Sequence, residues 1–175
     1  MSASAPATYH AATFSTPCGP FSVAINDDGA ITATAFGDFA RLLQRLPANS
    51  RLVEGKPARF AAIKKELADY FTGKRRDFTL PLAPHGTKFQ HGVWQALVDI
   101  PFGETRSYGG LAADLGNPHA SRAVGGANGA NPICLFVPCH RVIGADGSLT
   151  GFAFGETIKR QLLAHEGALP PTLGL

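Results

Sequence analysis

The sequence predicts an α+β protein of two small domains, and three observations carry that prediction. An early stretch alternates apolar and small residues in the two-residue rhythm of strands, and one amphipathic helix follows it. The segment Pro81-Leu82-Ala83-Pro84-His85-Gly86 then breaks the pattern as a linker. Beyond it the chain becomes a series of short helices punctuated by glycines. The boundary is drawn at residue 86, giving an N-terminal α+β domain over 1–86 and a second domain over 87–175. With 175 residues, 45% hydrophobic and 17% charged, the chain is globular in composition and long enough to bury a core.

The opening residues 1–11 read as a frayed tail. From Ala12 to Phe36 two or three strands of a meander are expected. Phe21, Val23 and Ile25 share one face, breaks fall at Thr16–Gly19 and Asn26–Gly29, and Ile31, Thr32 and Thr34 favour extended backbone. Pro57 opens a helix with Phe60, Ile63, Leu67, Tyr70 and Phe71 on one face, and Gly73 stops it. Phe78, Leu80 and Leu82 alternate as one more short strand. In the second domain Thr87 caps a helix whose buried stripe is Phe89, Val93, Trp94, Leu97 and Ile100, ended by Pro101. Ser107 caps a short helix through Leu111 and Leu115 that stops at Gly116. After Asn117-Pro118 comes a helix of small residues, Ala120, Ser121, Ala123, Gly125, Gly126 and Ala127. Two short helices around a glycine-bearing turn suggest helix-turn-helix geometry. Leu135–Val137 and Arg141–Ile143 read as short strands flanking Pro138-Cys139-His140, and a last helix carrying Ile158, Leu162 and Leu163 ends at His165-Glu166-Gly167.

Several function classes are excluded or weakened by composition. The net charge is +3, with ten Lys/Arg against seven Asp/Glu up to Gly86 and six of each beyond it. Binding to nucleic acid would therefore not rest on a dense basic surface. No apolar run is long enough to cross a bilayer, and the opening residues lack the basic and apolar regions of a secretory leader, so a membrane partner is not expected. Three cysteines, Cys18, Cys134 and Cys139, fit reduced thiols in a cytoplasmic or nuclear compartment better than a disulfide framework. No paired Cys or His spacing suits a zinc site, so no metal and no cofactor are expected.

The residues able to do chemistry centre on Pro138-Cys139-His140-Arg141. A cysteine becomes a nucleophile when a histidine or cation stabilises its thiolate. Adjacency alone does not guarantee this, because neighbouring strand side chains point apart, and on the tetrapeptide alone a buried, inert thiol is an equal reading. Cys134 sits among apolar residues, and Cys18 lies in a turn without a base beside it. Glu166 reads by default as a solvated carboxylate, Tyr108 as a packing residue, and Arg122 as half of a surface ion pair.

Taken together, the order of these residues resembles the O6-alkylguanine-DNA alkyltransferase family. The similarity runs from Gly86–Gln90 through Val93–Leu97, Ile100–Thr105, Ser107-Tyr108, Leu111-Ala112, Arg122–Gly125 and Ala127–Gly129 to Asn131-Pro132, and ends with Val137–Gly144, Gly147, Gly151-Phe152 and Leu162–Glu166. It covers roughly half the chain, and the cysteine block is its most specific part. The first half matches only in layout, around Ser15–Pro20.

The resemblance implies a ribonuclease-H-like N-terminal domain and a winged-helix-like C-terminal domain. It implies repair of double-stranded DNA carrying O6-alkylguanine, and of O4-alkylthymine, by a monomer that enters the minor groove and flips the damaged base. The alkyl group would pass irreversibly to Cys139, one per molecule. His140 would act on the thiol through water, Glu166 would polarise His140, and Tyr108 would assist proton transfer to guanine. Asn131 would tie the small-residue helix to the cysteine loop. Arg122 would fill the space of the flipped base, with Ala120, Ser121, Ala123 and Gly125 against DNA. Val142, Phe152, Ala153 and Phe154 would form the pocket. Phe154 departs from the glycine common in the family and would narrow it. Two alternatives stand beside this reading: a non-catalytic alkylguanine-binding module, disfavoured because Cys139 is present, and an unrelated cysteine hydrolase, which would turn over repeatedly.

Overall fold

The computed structural model describes residues 5–169, which form two units, Met1–His85 and Gly86–Leu175. In the first, β1 (Ala7–Thr16), β2 (Gly19–Ile25) and β3 (Ile31–Phe36) form an antiparallel meander, and β4 (Ser50–Glu54) adds to β1 in parallel, giving the order β3-β2-β1-β4. Gly19, at φ 97°, makes the tight β1–β2 turn. β1 corrects the expected tail. Ala7–Ala11 pair with Ser50–Glu54, and Tyr9 and Ala11 are buried, because β1 lies between two strands rather than at an edge. Residues 1–4 lie outside the described residues.

Two further elements escaped the pattern. Asp38 accepts from the Arg41 amide and caps α1 (Phe39–Leu43), a single turn too short for periodicity to register. β4 has only Leu52 and Val53 between polar residues, and its parallel partner is some forty positions away in sequence. Pro57–Phe60 form a 3-10 turn that runs into α2 (Ala61–Phe71). Ile63, Leu67 and Tyr70 are buried, and Gly73 at φ 80° closes α2 as predicted. The expected strand at Phe78–Leu82 is reduced to one bridge, Ile31 to Leu82.

The second unit begins with α3 (Lys88–Val98). Thr87 and Gln90 form a reciprocal capping box at its start, and a Cβ on Gly86 would run into the Trp94 ring. Val93, Trp94, Leu97 and Ile100 are buried, each worth about 1.5–3 kcal/mol. Phe89 is not part of that stripe. It is 47% exposed, over a cavity that Ala112, Leu115, Ala120 and Val124 line without covering it.

Ser107 caps α4 (Tyr108–Asp114) by accepting from the Gly110 amide. Gly116 at φ 80° ends it, with Gly116 N–H bonded to Ala113 and Asn117 N–H to Ala112, the double bond pattern that satisfies terminal carbonyls. α5 (Ser121–Gly129) follows, so α4 and α5 make the expected helix pair. β5 (Arg106–Ser107) pairs in parallel with β6 (Val142–Ile143), and α6 (Glu156–His165) closes the unit. Leu135–Val137 is not the expected strand. Leu135 adopts φ 75°, and Val137 N–H bonds back to Ile133, so the segment folds into a turn ahead of Cys139. Among the described residues no helix is long and apolar enough to cross a membrane.

Candidate active site

Cys139 lies at the start of a 3-10 turn, Cys139–Arg141, which packs against α6 and leads into β6. Turn geometry rather than extended strand brings His140 and Arg141 onto the same carboxylate. Nε2 of His140 is 2.9 Å from Glu166 Oε2, and Arg141 grips the same group from the other side through Nε (2.8 Å) and an Nη (2.9 Å). Arg141 also donates to the Ile100 carbonyl at 2.6 Å, tying the cluster to the end of α3. His140, Arg141 and Glu166 are all buried.

Glu166 caps the C-terminus of α6, held there by Gly167 at φ 73° and the Ala168-to-Leu163 bond. A carboxylate at that end faces the negative pole of the helix, so its position demands cations nearby. Burial would raise its pKa, yet the hydrogen bond with His140 and the Arg141 guanidinium bring it down to about 2. Burial holds His140 below its ordinary value, against the pull of Glu166, so the resting imidazole is neutral. With Nε2 facing a carboxylate, that nitrogen carries the hydrogen and Nδ1 is the basic one.

Lys159 was not singled out from the sequence. It is fully buried on α6, and Nζ donates to the carbonyls of Val142 (2.6 Å) and Thr150 (3.1 Å). Burial lowers its pKa, while the charge of Cys139 and that of Glu156 raise it, so a thiolate at Cys139 and the Lys159 ammonium stabilise one another. Glu166 is matched by Arg141, whereas the Lys159 ammonium is held by two backbone carbonyls. A signal was present: a lysine three and four positions before Leu162 and Leu163 falls on the apolar stripe of its helix. Arg141 was quoted in the motif without a role.

The Thr150 carbonyl also accepts from the Tyr108 hydroxyl at 3.0 Å. Burial and the charge of Cys139 raise the Tyr108 pKa, so it stays protonated and able to donate. A Cβ on Gly151 would run into that hydroxyl, and Gly125 of α5 lies against the Tyr108 ring.

Asn131, just past α5, donates to the Val137 carbonyl at 2.9 Å and accepts from the Ile133 amide, bracing the turn before Cys139. Trp94 Nε1 donates to the Ala127 carbonyl in the last turn of α5. Arg122 and Ala123 are exposed on α5, Ser121, Gly125 and Ala120 partly so, and among the described residues no ion pair engages Arg122. Phe152 and Phe154 meet edge to face, ring centroids 5.7 Å apart, with Ala153 exposed between them. Val142 is buried in β6.

The other thiols lack this environment. Burial pushes Cys18 up to about 11, and Cys134 is buried among apolar neighbours. A groove of about 900 Å³ in the first unit is lined mainly by apolar side chains, Phe14, Phe39, Phe60, Leu67 and Phe71 among them, and none of the three cysteines borders it.

Comparison with known proteins gives one family match in each unit. Residues 9–84 match the family described as 6-O-methylguanine DNA methyltransferase, ribonuclease-like domain, and residues 88–168 match its DNA binding domain. A methylated-DNA–protein-cysteine methyltransferase of Methanosarcina acetivorans is 45% identical over 157 residues, 90% of this chain and 97% of the relative. One from Salmonella typhimurium is 45% identical over 88% of this chain and 93% of its own. The crystal structure of Mycobacterium tuberculosis OGT in complex with DNA is similar with a TM-score of 0.79 and 42% identity, over 90% of this chain and 92% of that one.

Proposed function

The chain belongs to the 6-O-methylguanine DNA methyltransferase family, and on that premise we propose that it repairs DNA by moving the alkyl group of O6-alkylguanine onto its own Cys139. The observation that carries this reading is the buried Cys139 followed by His140, whose ring is bonded to the buried Glu166, and in this reading Lys159 supplies the thiolate's counter-charge. His140 Nδ1 takes the thiol proton through water, and Glu166 stabilises the imidazolium that results. The thiolate attacks the alkyl carbon in line, a C–S bond forms, and the C–O6 bond breaks with its electron pair passing to guanine. Tyr108 donates a proton to the base as it leaves and is reprotonated, so the thiol proton ends on guanine. A thioether is not reversed by hydrolysis, and each molecule acts once.

The reacting carbon is out of reach inside a duplex, so the nucleotide must leave the stack. α5 supports this role. Its small residues allow close approach to the minor groove, and Arg122 is free to occupy the gap. Asn131 couples that helix to the cysteine turn, and Val142, Phe152, Ala153 and Phe154 enclose the base. The protein acts as a monomer in the cytoplasm, and O4-alkylthymine is a second substrate.

Intact mass after incubation with an oligonucleotide containing O6-methylguanine is the direct test. One added methyl, mapped to Cys139 and absent from Cys139→Ser, is expected. A methyl on Cys18 or Cys134 rejects Cys139 as the acceptor, and repeated turnover rejects the mechanism in favour of a hydrolase.

A further inference from the structure

Two buried acceptors beside the cysteine have no protein partner, Nδ1 of His140 and Oδ1 of Asn128. Their residues are 0% and 2% exposed. The orientation of the Asn128 amide follows from its neighbour. The end 3.5 Å from the Cys139 carbonyl is the NH2, since two carbonyl oxygens would repel, and the oxygen therefore points away. In the neutral imidazole, Nδ1 is likewise an acceptor, because Glu166 holds the hydrogen on Nε2. Native proteins rarely leave such buried acceptors unmade, and ordered water is their usual partner where side chains supply none. A thiol has one hydrogen and can serve one acceptor. A water has two hydrogens to give, and its oxygen can receive the thiol's.

We propose that Asn128 is a positioning residue for the alkyl transfer: its Nδ2 steadies the Cys139 carbonyl, and its Oδ1, with Nδ1 of His140, orients the water that carries the thiol proton. The proposal rests on the reading of Cys139 as the alkyl acceptor. The S–H bond breaks and its proton joins the water oxygen. A proton of that water passes to Nδ1, the water is restored, and the electron pair stays on sulfur. Asn128 exchanges no proton. By claiming the second hydrogen it aims the first at His140. Its place on α5 suits this role, since the Ala127 carbonyl beside it is held by Trp94, and Asn131 holds the Val137 carbonyl. The end of the proposed DNA-contacting helix thus grips the cysteine turn at two carbonyls, Val137 and Cys139.

The charged and titratable groups around Cys139 and His140 are Glu166, Arg141, Lys159 and Tyr108, and all are retained in Asn128→Ala and Asn128→Leu. The experiment follows Cys139 against pH with iodoacetamide, mapped by mass spectrometry, and with a single-stranded methylated oligonucleotide. After the transfer the same water donates one hydrogen to the thiolate and the other to Oδ1 of Asn128. Both variants should therefore shift the pH midpoint of reaction upward by about one unit, about tenfold slower near neutrality, with the alkaline plateau unchanged because the thiol is then fully ionised. Asn128→Leu keeps the branched shape without a polar atom or a charge, and gives the answer if the alanine variant does not fold. A folded variant with an unmoved midpoint, or a lowered plateau at the wild-type midpoint, overturns the proposal and leaves Asn128 a packing residue. If wild type accepts no methyl at Cys139, the underlying function fails instead, and the iodoacetamide profile still decides the role of Asn128.

Discussion

Around Cys139 single atoms decide what each side chain can do. Gly151 combines φ 83° with a Cβ position that falls on the Tyr108 hydroxyl. Gly151→Ala should lower stability by about 1 kcal/mol or more, from backbone strain alone, and should slow methyl transfer further by displacing Tyr108. Thermal melting beside single-turnover rates separates the two effects, and a normal rate would remove Tyr108 from the mechanism. Phe154, edge to face with Phe152, is expected to crowd bulky adducts. Phe154→Gly should speed reaction with benzylated guanine more than with methylated guanine, and equal effects would reject steric gating.

At the scale of elements, α5 joins the reactive turn to the surface. Arg122 is exposed, and a surface role would be worth about 0–1 kcal/mol of stability whatever the substrate. Filling the gap of an extruded nucleotide offsets part of an unstacking cost of a few kcal/mol, which exists only in duplex. Arg122→Ala should therefore slow repair in duplex strongly, react normally with free alkylated base, and melt like wild type. Equal slowing on both substrates would assign Arg122 to the pocket or the fold. Gly116, at φ 80°, ends α4 ahead of α5. Its replacement by alanine should cost about 1 kcal/mol in melting experiments.

Over the whole molecule, acid sensitivity should be concentrated in the second unit. Glu166 has its folded pKa lowered to about 2 from 4.5, so its contribution is complete above about pH 4.5 and is lost as pH falls toward 2. That difference corresponds to about 3 kcal/mol. His140 is also lowered in the fold, so below its ordinary 6.5 the unfolded chain binds the proton first, again favouring unfolding. Both groups lie in Gly86–Leu175. Hydrogen exchange from pH 7 to pH 2 should show that unit losing protection first, and a stronger loss in the first unit would contradict the linkage.

Much of this architecture was legible in the chain. Local chemistry marks its own ends: Thr87 and Gln90 box α3, Ser107 caps α4, and Gly73, Gly116 and Gly167 stop their helices, since each effect acts within a few residues. The motif Pro138-Cys139-His140-Arg141, with Tyr108, Asn131 and Glu166 in order, was enough to point to the chemistry through its resemblance. What the sequence left open depends on contacts made across long stretches of chain. β1 reads as a tail until β4 pairs with it, and Phe89 reads as core until its neighbours fail to cover it. Glu166 reads as solvated until Arg141, 25 residues earlier, encloses it. Lys159 and Asn128 reveal their roles only through burial beside Cys139, because desolvation and unpaired acceptors are properties of packed space, which periodicity along one chain does not encode.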